Sequence, residues 1–450
     1  MQLPSHIKEI LNTIKEQGQE AFLVGGCVRD ILMGMKPVDY DVTSSAAKAE
    51  IMSLFPKTVP VGKKFGTVAV VTNHGIVEVS TYKGQEDHLS SGPQGLEKDL
   101  LLRDFTINAM AMDEEGLVFD PYGGRQDLKN KLIRAPEDEA RERFAEDPLR
   151  MMRAVRFYST LEFSLHSSVY EAIKKNAALL PGVAIERVQN ELNRILTSNR
   201  PARGLRLLNE TGLLGQFLPE VAAMVNFDQR NFRHDKDLFE HTMAVLEAVP
   251  PGIKVRLGAL LHDIGKTVTF TVDDDGVGHF YGHHVEGAGI ASRILKRLRY
   301  DNQTVEDVSS LVLYHMSRFA GLRDTGLKKL ILEVGEHNLE DLFDLQKADT
   351  LGSAPPFEFA NLEIMQAGIN KILREKLPLS LNDLLVNGND LIDRGFQPGP
   401  FLGEVLNNLL ETVLEDPDKN QRELLLEMAE KYLKTSLSEK NAGHETSGWN

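Results

Sequence analysis

Two aspartates separated by one residue, Asp39 and Asp41, follow the pair Gly25-Gly26 and Arg29 in the stretch LVGGCVRDILMGMKPVDYD. Because alternate residues of a strand point to the same face, the spacing predicts both carboxylates on one face at the edge of a short β-strand. Mg²⁺ binds carboxylate and phosphate oxygens together, and glycine lets backbone N–H groups approach a phosphate. This order of residues predicts metal-dependent transfer of a nucleotidyl group. Taken singly, each motif also fits a solvated strand edge or a tight turn.

A third carboxylate is predicted on another strand, IVEVST (76–81). Glu78 alternates with Val77 and Val79, which places its side chain on the face opposite to theirs. Glu78 therefore either joins the two aspartates as a third catalytic acid or belongs to the polar face of an edge strand. The sequence leaves both interpretations open.

Two further segments carry polar residues that could contact a nucleotide. The run RDFTINAM (103–110) contains Arg103, Asp104 and Asn108, which suit hydrogen bonds to a ribose but also suit the capped start of a helix. In EDPLRMMRAVRF (146–157), arginines recur at every third residue and drift around one side of a predicted helix. These arginines are Arg150, Arg153 and Arg156.

Asp147 stands three residues before Arg150, so the two side chains can face the same way. A carboxylate accepts a hydrogen bond from an exocyclic amine, and a guanidinium donates to a ring nitrogen or a carbonyl oxygen. One such pair would read both cytosine and adenine and would reject guanine and uracil. The alternative is an ordinary ion pair on a helix surface.

The C-terminal half carries residues that suit a second metal site. Imidazole and carboxylate groups together bind transition metals that activate water. The dipeptide His262-Asp263, directly after GALL, is the most specific of these features. The candidate ligands are His241, His262, Asp263, His283 or His284, His315 and Asp349.

The composition restricts the class of protein. The 450 residues are 42% hydrophobic and 26% charged, which is typical of globular proteins. The absence of a long apolar stretch predicts no membrane partner, and the single cysteine, Cys27, excludes an intramolecular disulfide; both predict a cytoplasmic protein. The net charge of -15 argues against nucleic-acid binding overall. Residues 148–206 nevertheless contain ten basic and four acidic residues, which predicts a local surface for a polyanion.

The elements that must position these residues change character near residue 137. Before it, the patterns predict helices at 5–19 and 46–55 and strands at 21–25, 39–43, 67–72, 76–81 and 117–120. After it, helical periodicity dominates to about residue 434. The exception is 267–284, which predicts two short strands around an Asp-Gly turn.

The order of six motifs resembles that of bacterial class II tRNA nucleotidyltransferases, the CCA-adding enzymes and their poly(A) polymerase relatives. The motifs are LVGGCVRD with DYDV, RDFTINAMA, DPYGGRQDL, EDPLRMMRAVRF and ERVQNELNRIL. The resemblance covers nearly the whole chain and implies an α+β fold with a polymerase-β-like nucleotidyltransferase head, followed by a mostly α-helical neck, body and tail with an HD-type domain. The implied ranges are head 1–136, neck and body 137–232, HD domain 233–350, helical tail 351–434 and disordered segment 435–450.

The resemblance also implies roles for individual residues. Mg²⁺ would be bound by Asp39 and Asp41, the triphosphate by Gly25, Gly26 and Arg29, and the ribose by Arg103, Asp104 and Asn108. Base reading would fall to Glu146, Asp147, Arg150 and Arg153, joined by Arg156 on the same helix. The HD site would hold a transition metal or Mg²⁺ through His241, His262, Asp263, His283, His315 and Asp349. His283 is preferred to His284 because it directly follows Gly282, as in the family's pattern.

The implied activity is template-independent addition of C, C and A to the 3′ end of tRNA from CTP and ATP. Two features differ from the family's pattern: Leu102 replaces the first of two arginines before DFTINA, and the loop at 83–98 looks shortened. A short loop is typical of enzymes that add only CC, so CC addition is the first alternative. The others are a metal phosphohydrolase activity of the HD domain, a poly(A) polymerase and a non-catalytic tRNA-binding protein.

Overall fold

The computed structural model describes residues 3–61, 66–82, 93–230, 236–319, 324–375 and 378–445. The chain forms two compact units, Met1–Ala222 and Ala223–Asn450. None of the helices formed by the described residues is long and apolar enough to cross a membrane.

The first unit is built on a seven-stranded mixed sheet. Its strands are β1 (Ala21–Val24), β2 (Asp41–Ser44), β3 (Thr58–Val61), β4 (Thr67–Thr72), β5 (Gly75–Thr81), β6 (Ala111–Met112) and β7 (Val118–Phe119). They lie in the order β3-β4-β5-β2-β1-β6-β7, and β2 and β5 run parallel to each other. A separate two-stranded ladder joins β8 (Leu132–Ile133) to β9 (Ser164–Leu165). The sequence did not predict β3, β6, β8 or β9.

Helices pack on the sheet and then continue the unit beyond it. They are α1 (Ser5–Lys15), α2 (Gly26–Leu32), α3 (Lys48–Leu54), α4 (Pro93–Leu101), α5 (Gly124–Lys129), α6 (Ala140–Glu146), α7 (Leu149–Thr160), α8 (Ser167–Asn176), α9 (Ile185–Leu196), α10 (Pro201–Glu210), α11 (Leu214–Phe217) and α12 (Pro219–Ala222). Short 3₁₀ turns occupy Thr106–Asn108, Pro136–Asp138 and Ala177–Gly182. The predicted change from a mixed α/β region to a helical region is confirmed.

The sheet separates two apolar clusters. Alternate strand residues such as Leu23 and Val42 pack with the isoleucines of α1 and with Ile51 of α3. Val24 and Ala111 belong to the other cluster, with Leu100 of α4 among its members. Because side chains alternate along a strand, burial on both sides of β1 fixes how β1 pairs with β2. In this register Asp41, the first residue of β2, lies opposite Val24.

The second unit is almost entirely helical. Its helices are α13 (Leu238–Ala248), α14 (Ile253–Leu261), α15 (Lys266–Thr269), α16 (His283–Arg297), α17 (Asn302–Tyr314), α18 (Asp324–Val334), α19 (Leu339–Gly352), α20 (Ala360–Arg374), α21 (Gly388–Asp393), α22 (Pro400–Glu415) and α23 (Arg422–Glu445). Further 3₁₀ turns lie at His315–Phe319, Glu336–Asn338, Leu381–Asp383 and Pro417–Lys419. The predicted hairpin is present as β10 (Thr271–Val272) paired with β11 (Gly278–His279). Helix α23 extends to Glu445, whereas the sequence predicted disorder from residue 435.

Candidate functional site: an arginine-lined cavity and a buried histidine cluster

A cavity of about 610 Å³ in the first unit brings together most of the residues expected to contact a nucleotide. Its walls contain both members of the aspartate pair and seven arginines. The lining residues are Gly25, Gly26, Cys27, Arg29, Asp30, Val38, Asp39, Asp41, Leu102, Arg103, Asp104, Asn108, Asp147, Leu149, Arg150, Arg153, Arg156, Phe157, Arg187 and Arg194. Carboxylates and guanidinium groups around one cavity suit a ligand that carries both phosphates and a metal ion.

The aspartate pair lies beside Glu78. Asp41 begins β2 and is paired in register with Glu78 of the parallel strand β5. Partial burial, followed by the negative charges of Asp41 and Asp39, raises the pKa of the Glu78 carboxyl. The three acids therefore share one electrostatic environment. The prediction that Asp39 lies on the strand is wrong, because Asp39 precedes β2 in a bend. The i, i+2 rule of strands therefore does not explain how the two aspartates meet.

Gly25 gives this end of the cavity its shape. Its φ of +78° lies in the left-handed region that favours glycine, and a Cβ at this position would lie 3.1 Å from Nη1 of Arg103 and 3.7 Å from Oδ2 of Asp41. The missing side chain keeps open the space between a cation and a carboxylate. This observation fits the role expected of Gly25, although contact with a phosphate stays a prediction.

A chain of hydrogen bonds joins the segment at 103–110 to α2 and α7. Nη1 of Arg29 donates to Oδ1 of Asn108 at 2.8 Å, and Nδ2 of Asn108 donates to Oδ1 of Asp104 at 3.0 Å. Nε of Arg153 donates to Oδ2 of Asp104 at 2.7 Å. Burial alone would raise the pKa of Asp104, but the charge of Arg153 and these hydrogen bonds outweigh it and hold the pKa well below its usual range. Asp104 is therefore a structural anion that orients groups on both sides of it.

Replacing Asp104 with asparagine is expected to lower the free energy of unfolding by about 2–3 kcal/mol at pH 7, because Arg153 loses its buried counter-charge. The effect is smaller than the about 3–5 kcal/mol of a fully buried pair because the Arg153 side chain is 34% exposed. Since the folded-state pKa is lowered, the stabilisation is complete above the unfolded pKa and is lost as the pH falls through the folded value. Urea unfolding at pH 7 checks the size of the effect, and a series from about pH 4 to about pH 2 checks that the difference between parent and variant shrinks as the pH falls. Equal stability of variant and parent at pH 7 would contradict the prediction.

Asp147 and Arg150 do not form the pair expected from their spacing. Asp147 follows the end of α6, whereas Arg150 lies in α7. Nη2 of Arg187 donates to Oδ2 of Asp147 at 3.1 Å, while Nη2 of Arg150 donates to the carbonyl oxygen of Leu102 at 2.8 Å. Both residues still line the cavity, so either can face a base from its own position.

Glu146 is placed differently from the other residues of its motif. Its side chain is 53% exposed and lies near Arg143, with its Oε2 atom 3.6 Å from Nη1 of Arg150. It is absent from the described residues that line the cavity. The structure therefore places Glu146 beside Arg150 and outside the described part of the cavity wall.

Three charged lining residues, Asp30, Arg187 and Arg194, were not predicted as site residues from the sequence. Arg187 and Arg194 lie seven residues apart on α9, which places them on the same face of the helix. Glu191 lies between them, with Oε2 2.9 Å from Nε of Arg156 but outside hydrogen-bond geometry. The sequence does contain a signal for these arginines. Charged residues recur at i, i+4 and i+7 on one face of a helix whose other face is apolar.

In the second unit, four histidines and two aspartates form one cluster, with Asp263 at its centre. Oδ2 of Asp263 lies 3.2 Å from Nε2 of His262 and 3.5 Å from Nε2 of His241. Its other oxygen, Oδ1, lies 3.4 Å from His283 and 3.7 Å from His315. Asp349 adds an oxygen 3.1 Å from Nε2 of His241. All six predicted ligands therefore meet, and the preferred residue His283 is among them.

The histidines of this cluster are held in one orientation. Nδ1 of each ring lies within hydrogen-bond distance of a backbone carbonyl oxygen, at 3.2 Å for His241, 2.9 Å for His262, 2.8 Å for His283 and 2.7 Å for His315. Because a carbonyl only accepts, Nδ1 carries the proton and Nε2 is directed at the aspartates. This is the arrangement that metal-binding histidines adopt.

The charges in the cluster favour a cation at its centre. Burial alone would lower the pKa of His262, but Asp263 outweighs it and raises that pKa to about 10. Burial lowers the pKa of His315 to about 4, so that ring is neutral at pH 7. Each oxygen of Asp263 faces one histidine pair, and Nε2 atoms within each pair are 3.3 Å apart. The donor set fits one or two divalent metal ions.

Comparisons with known proteins agree with this division of the chain. Three family models match it: a poly A polymerase head domain at residues 21–134, a probable RNA and SrmB-binding site of polymerase A at 162–225, and an HD domain at 238–352. The cavity takes residues from the first match and from the helices that follow it, whereas the histidine cluster falls within the third.

Individual relatives match over different lengths. The CCA-adding enzyme of Geobacillus stearothermophilus is 44% identical over 220 residues, which cover 47% of this chain and about half (54%) of that enzyme. The CCA-adding enzyme of Ligilactobacillus salivarius is 31% identical over 449 residues, 97% of this chain and 99% of the relative. The crystal structure of the Bacillus stearothermophilus CCA-adding enzyme in complex with CTP has a TM-score of 0.72 at 30% identity, covering 97% of this chain and 98% of that one.

Proposed function

We infer that this chain, which belongs to the family of CCA-adding enzymes, adds C, C and A from CTP and ATP to the 3′ end of tRNA. The observation that carries the proposal is the cavity in which Asp39, Asp41 and seven arginines meet. A nucleoside triphosphate needs both a metal ion and cationic side chains, and the cavity offers ligands for each. The acceptor would be tRNA, and the single buried thiol of Cys27 suits the cytoplasmic location that we propose.

The proposed reaction is an in-line attack by the terminal 3′-hydroxyl on the α-phosphate, with pyrophosphate as the leaving group. Asp39 and Asp41 would be the Mg²⁺ ligands, and the hard oxygen donors of this acidic group fit that ion. When bound, Mg²⁺ supplies Lewis acidity to the attacking and leaving oxygens. The Glu78 carboxyl beside Asp41, with its raised pKa, is the third acid of this proposed catalytic group.

The side chains that would hold the triphosphate are already ordered by neighbours. Nε and Nη2 of Arg29 donate to Oδ1 of Asp30, and Nε and Nη2 of Arg103 donate to Oδ2 of Asp99. Both guanidinium groups line the cavity. Fixing a cation before the ligand arrives lowers the ordering cost of binding. We therefore propose phosphate contacts for Arg29 and also for Arg103, which the resemblance had assigned to the ribose and which lies beside Gly25. The ribose contacts are left to the Asp104–Asn108 pair.

Base selection would depend on Asp147 and Arg150. An ionised carboxylate only accepts, so Asp147 would favour the amino groups of cytosine and adenine over the carbonyl oxygens of uracil and guanine. Arg150 would donate to the ring nitrogen or the carbonyl oxygen next to that amine. Arg153 and Arg156 line the same wall and would support the base from the helix.

Extension of tRNA transcripts at single-nucleotide resolution tests this proposal. Transcripts that lack CCA, end in C or end in CC would each receive CTP, ATP or both, with Mg²⁺. We expect complete CCA ends with both nucleotides. Arrest after CC would identify a CC-adding enzyme. Addition of A only to transcripts that end in CC would identify an A-adding enzyme. Long tails on unrelated RNA with ATP alone would identify a poly(A) polymerase. The shortened loop that motivates the CC alternative lies mostly outside the described residues.

The histidine cluster supports a second proposed activity, metal-dependent hydrolysis of a phosphate ester. The observation that favours it is the convergence of four histidines on Asp263. His241, His262 and Asp349 would hold one divalent ion with Oδ2 of Asp263, and His283 and His315 a second with Oδ1. Such ions, when bound, supply an activated water at neutral pH. Lys266, whose Nζ lies 2.7 Å from Oδ2 of Asp263, orients that carboxylate.

A further inference from the structure

We propose that Arg187 is a positioning residue for base selection, because it holds the carboxylate of Asp147 in the orientation that meets a base. The inference rests on the base-reading role proposed for Asp147. Arg187 lies in the first turn of α9, 40 residues beyond its partner. It lines the same cavity as Asp147 and Arg150.

The contact between the two side chains has two points. Nη2 of Arg187 lies 3.1 Å from Oδ2 of Asp147, and Nη1 lies 3.5 Å from Oδ1. A two-point contact between a guanidinium and a carboxylate fixes the plane of the carboxylate as well as its position. On its other side, Oδ1 of Asp147 accepts a bond from the backbone N–H of Leu149 at 3.3 Å. These contacts use three of the about four acceptor sites of an ionised carboxylate, which leaves one site, on Oδ2, that can accept from a base.

Arg150 cannot supply this orientation from its observed position. Its guanidinium donates to the carbonyl oxygen of Leu102 at 2.8 Å and to that of Arg143 at 3.4 Å. Backbone carbonyls therefore fix the donor of the proposed base-reading pair, whereas Arg187 fixes the acceptor. The orientations of Arg150 and Asp147 are therefore fixed by different contacts. Of the two, only the orientation of Asp147 depends on α9.

The partial exposure of the contact argues for a role beyond stability. The Arg187 side chain is 53% exposed and that of Asp147 is 35% exposed, and exposed ion pairs contribute little to the free energy of unfolding. Orientation is affected more strongly, because a base is discriminated only when the acceptor lies at the right place. Loss of Arg187 should therefore change nucleotide choice more than it changes stability.

The test compares Arg187→Gln and Arg187→Lys with Arg141→Gln, a matched loss of one exposed arginine on α6. The readout is the ratio of kcat/KM for CTP to that for UTP on a tRNA that lacks CCA. We expect Arg187→Gln to lower this ratio about tenfold. Arg187→Lys should lower it less, because the ammonium group can keep one of the two contacts with the carboxylate. Arg141→Gln should leave the ratio unchanged. A general loss of tRNA affinity would lower both kcat/KM values equally and leave the ratio unchanged, which would overturn the inference.

Variants of Asp147 distinguish the positioning role of Arg187 from the base-reading role proposed for Asp147 itself. We expect Asp147→Ala to lower the same ratio, and we expect Arg187→Gln to add nothing when combined with it, since the two residues act through one group. If Asp147→Ala leaves the ratio unchanged, the base-reading proposal fails and the inference fails with it. If Asp147→Ala lowers the ratio but Arg187→Gln does not, or if the two effects add fully, only the role of Arg187 is overturned.

Discussion

Replacement of Asp41 with asparagine is expected to lower nucleotide incorporation into tRNA at least about 10³-fold, while the protein remains folded. Asp41 begins β2 beside Glu78 and lines the cavity with Asp39. Asparagine retains the shape of the side chain but removes a charged Mg²⁺ ligand at the place where charge develops during transfer. The measurement is the single-turnover rate of addition of one C, together with the melting temperature.

Glu115→Gln is the matched control, because it removes one exposed negative charge from the turn between β6 and β7. We expect its incorporation rate to equal that of the parent. A second variant, Asp39→Asn, removes the other carboxylate of the pair, which precedes β2. We expect it to lower the incorporation rate by a similar factor. Turnover at the parental rate in a folded Asp41→Asn variant would refute the assignment of the catalytic carboxylates.

Replacement of Asp263 with asparagine is expected to abolish metal binding by the second unit and the phosphate-ester hydrolysis proposed there. Both oxygens of Asp263 face histidine pairs, so one substitution weakens both halves of the cluster. The measurements are metal content after dialysis against Mn²⁺ or Ni²⁺, and hydrolysis of a model phosphodiester. Parental metal content in the folded variant would contradict the site.

A second variant guards against a failure of Asp263→Asn to fold. His315→Ala removes one neutral ring that faces Oδ1 of Asp263 and should remove one ion if two are bound. Asp274→Asn, in the exposed turn of the β10–β11 hairpin, is the matched control and should keep full metal content. Metal content equal to that of the parent in His315→Ala would limit the site to a single ion on the Oδ2 side.

Local patterns were sufficient for several elements because the forces that form them are local. The alternation around Glu78 predicted β5 within one residue of its bounds, Gly75–Thr81. Strand β4 was predicted with its observed bounds, Thr67–Thr72. Very short strands such as β8 and β9 carry no periodic signal, because two residues cannot define an alternation. Their pairing across 32 residues, Leu132 with Ser164, is a property of the folded chain.

The sequence by itself determined the chemistry of both sites: which carboxylates, arginines and histidines the chain offers, and the family pattern to which they belong. Only the tertiary structure decided which of them meet. Spacing suggested that Asp147 pairs with Arg150. Asp147, however, lies between α6 and α7 in an extended conformation, so helical spacing does not apply to it, and Arg187 of α9 is its partner instead. The physical reason is that side-chain periodicity fixes directions along one helix or strand, whereas an ion pair between elements depends on how those elements pack.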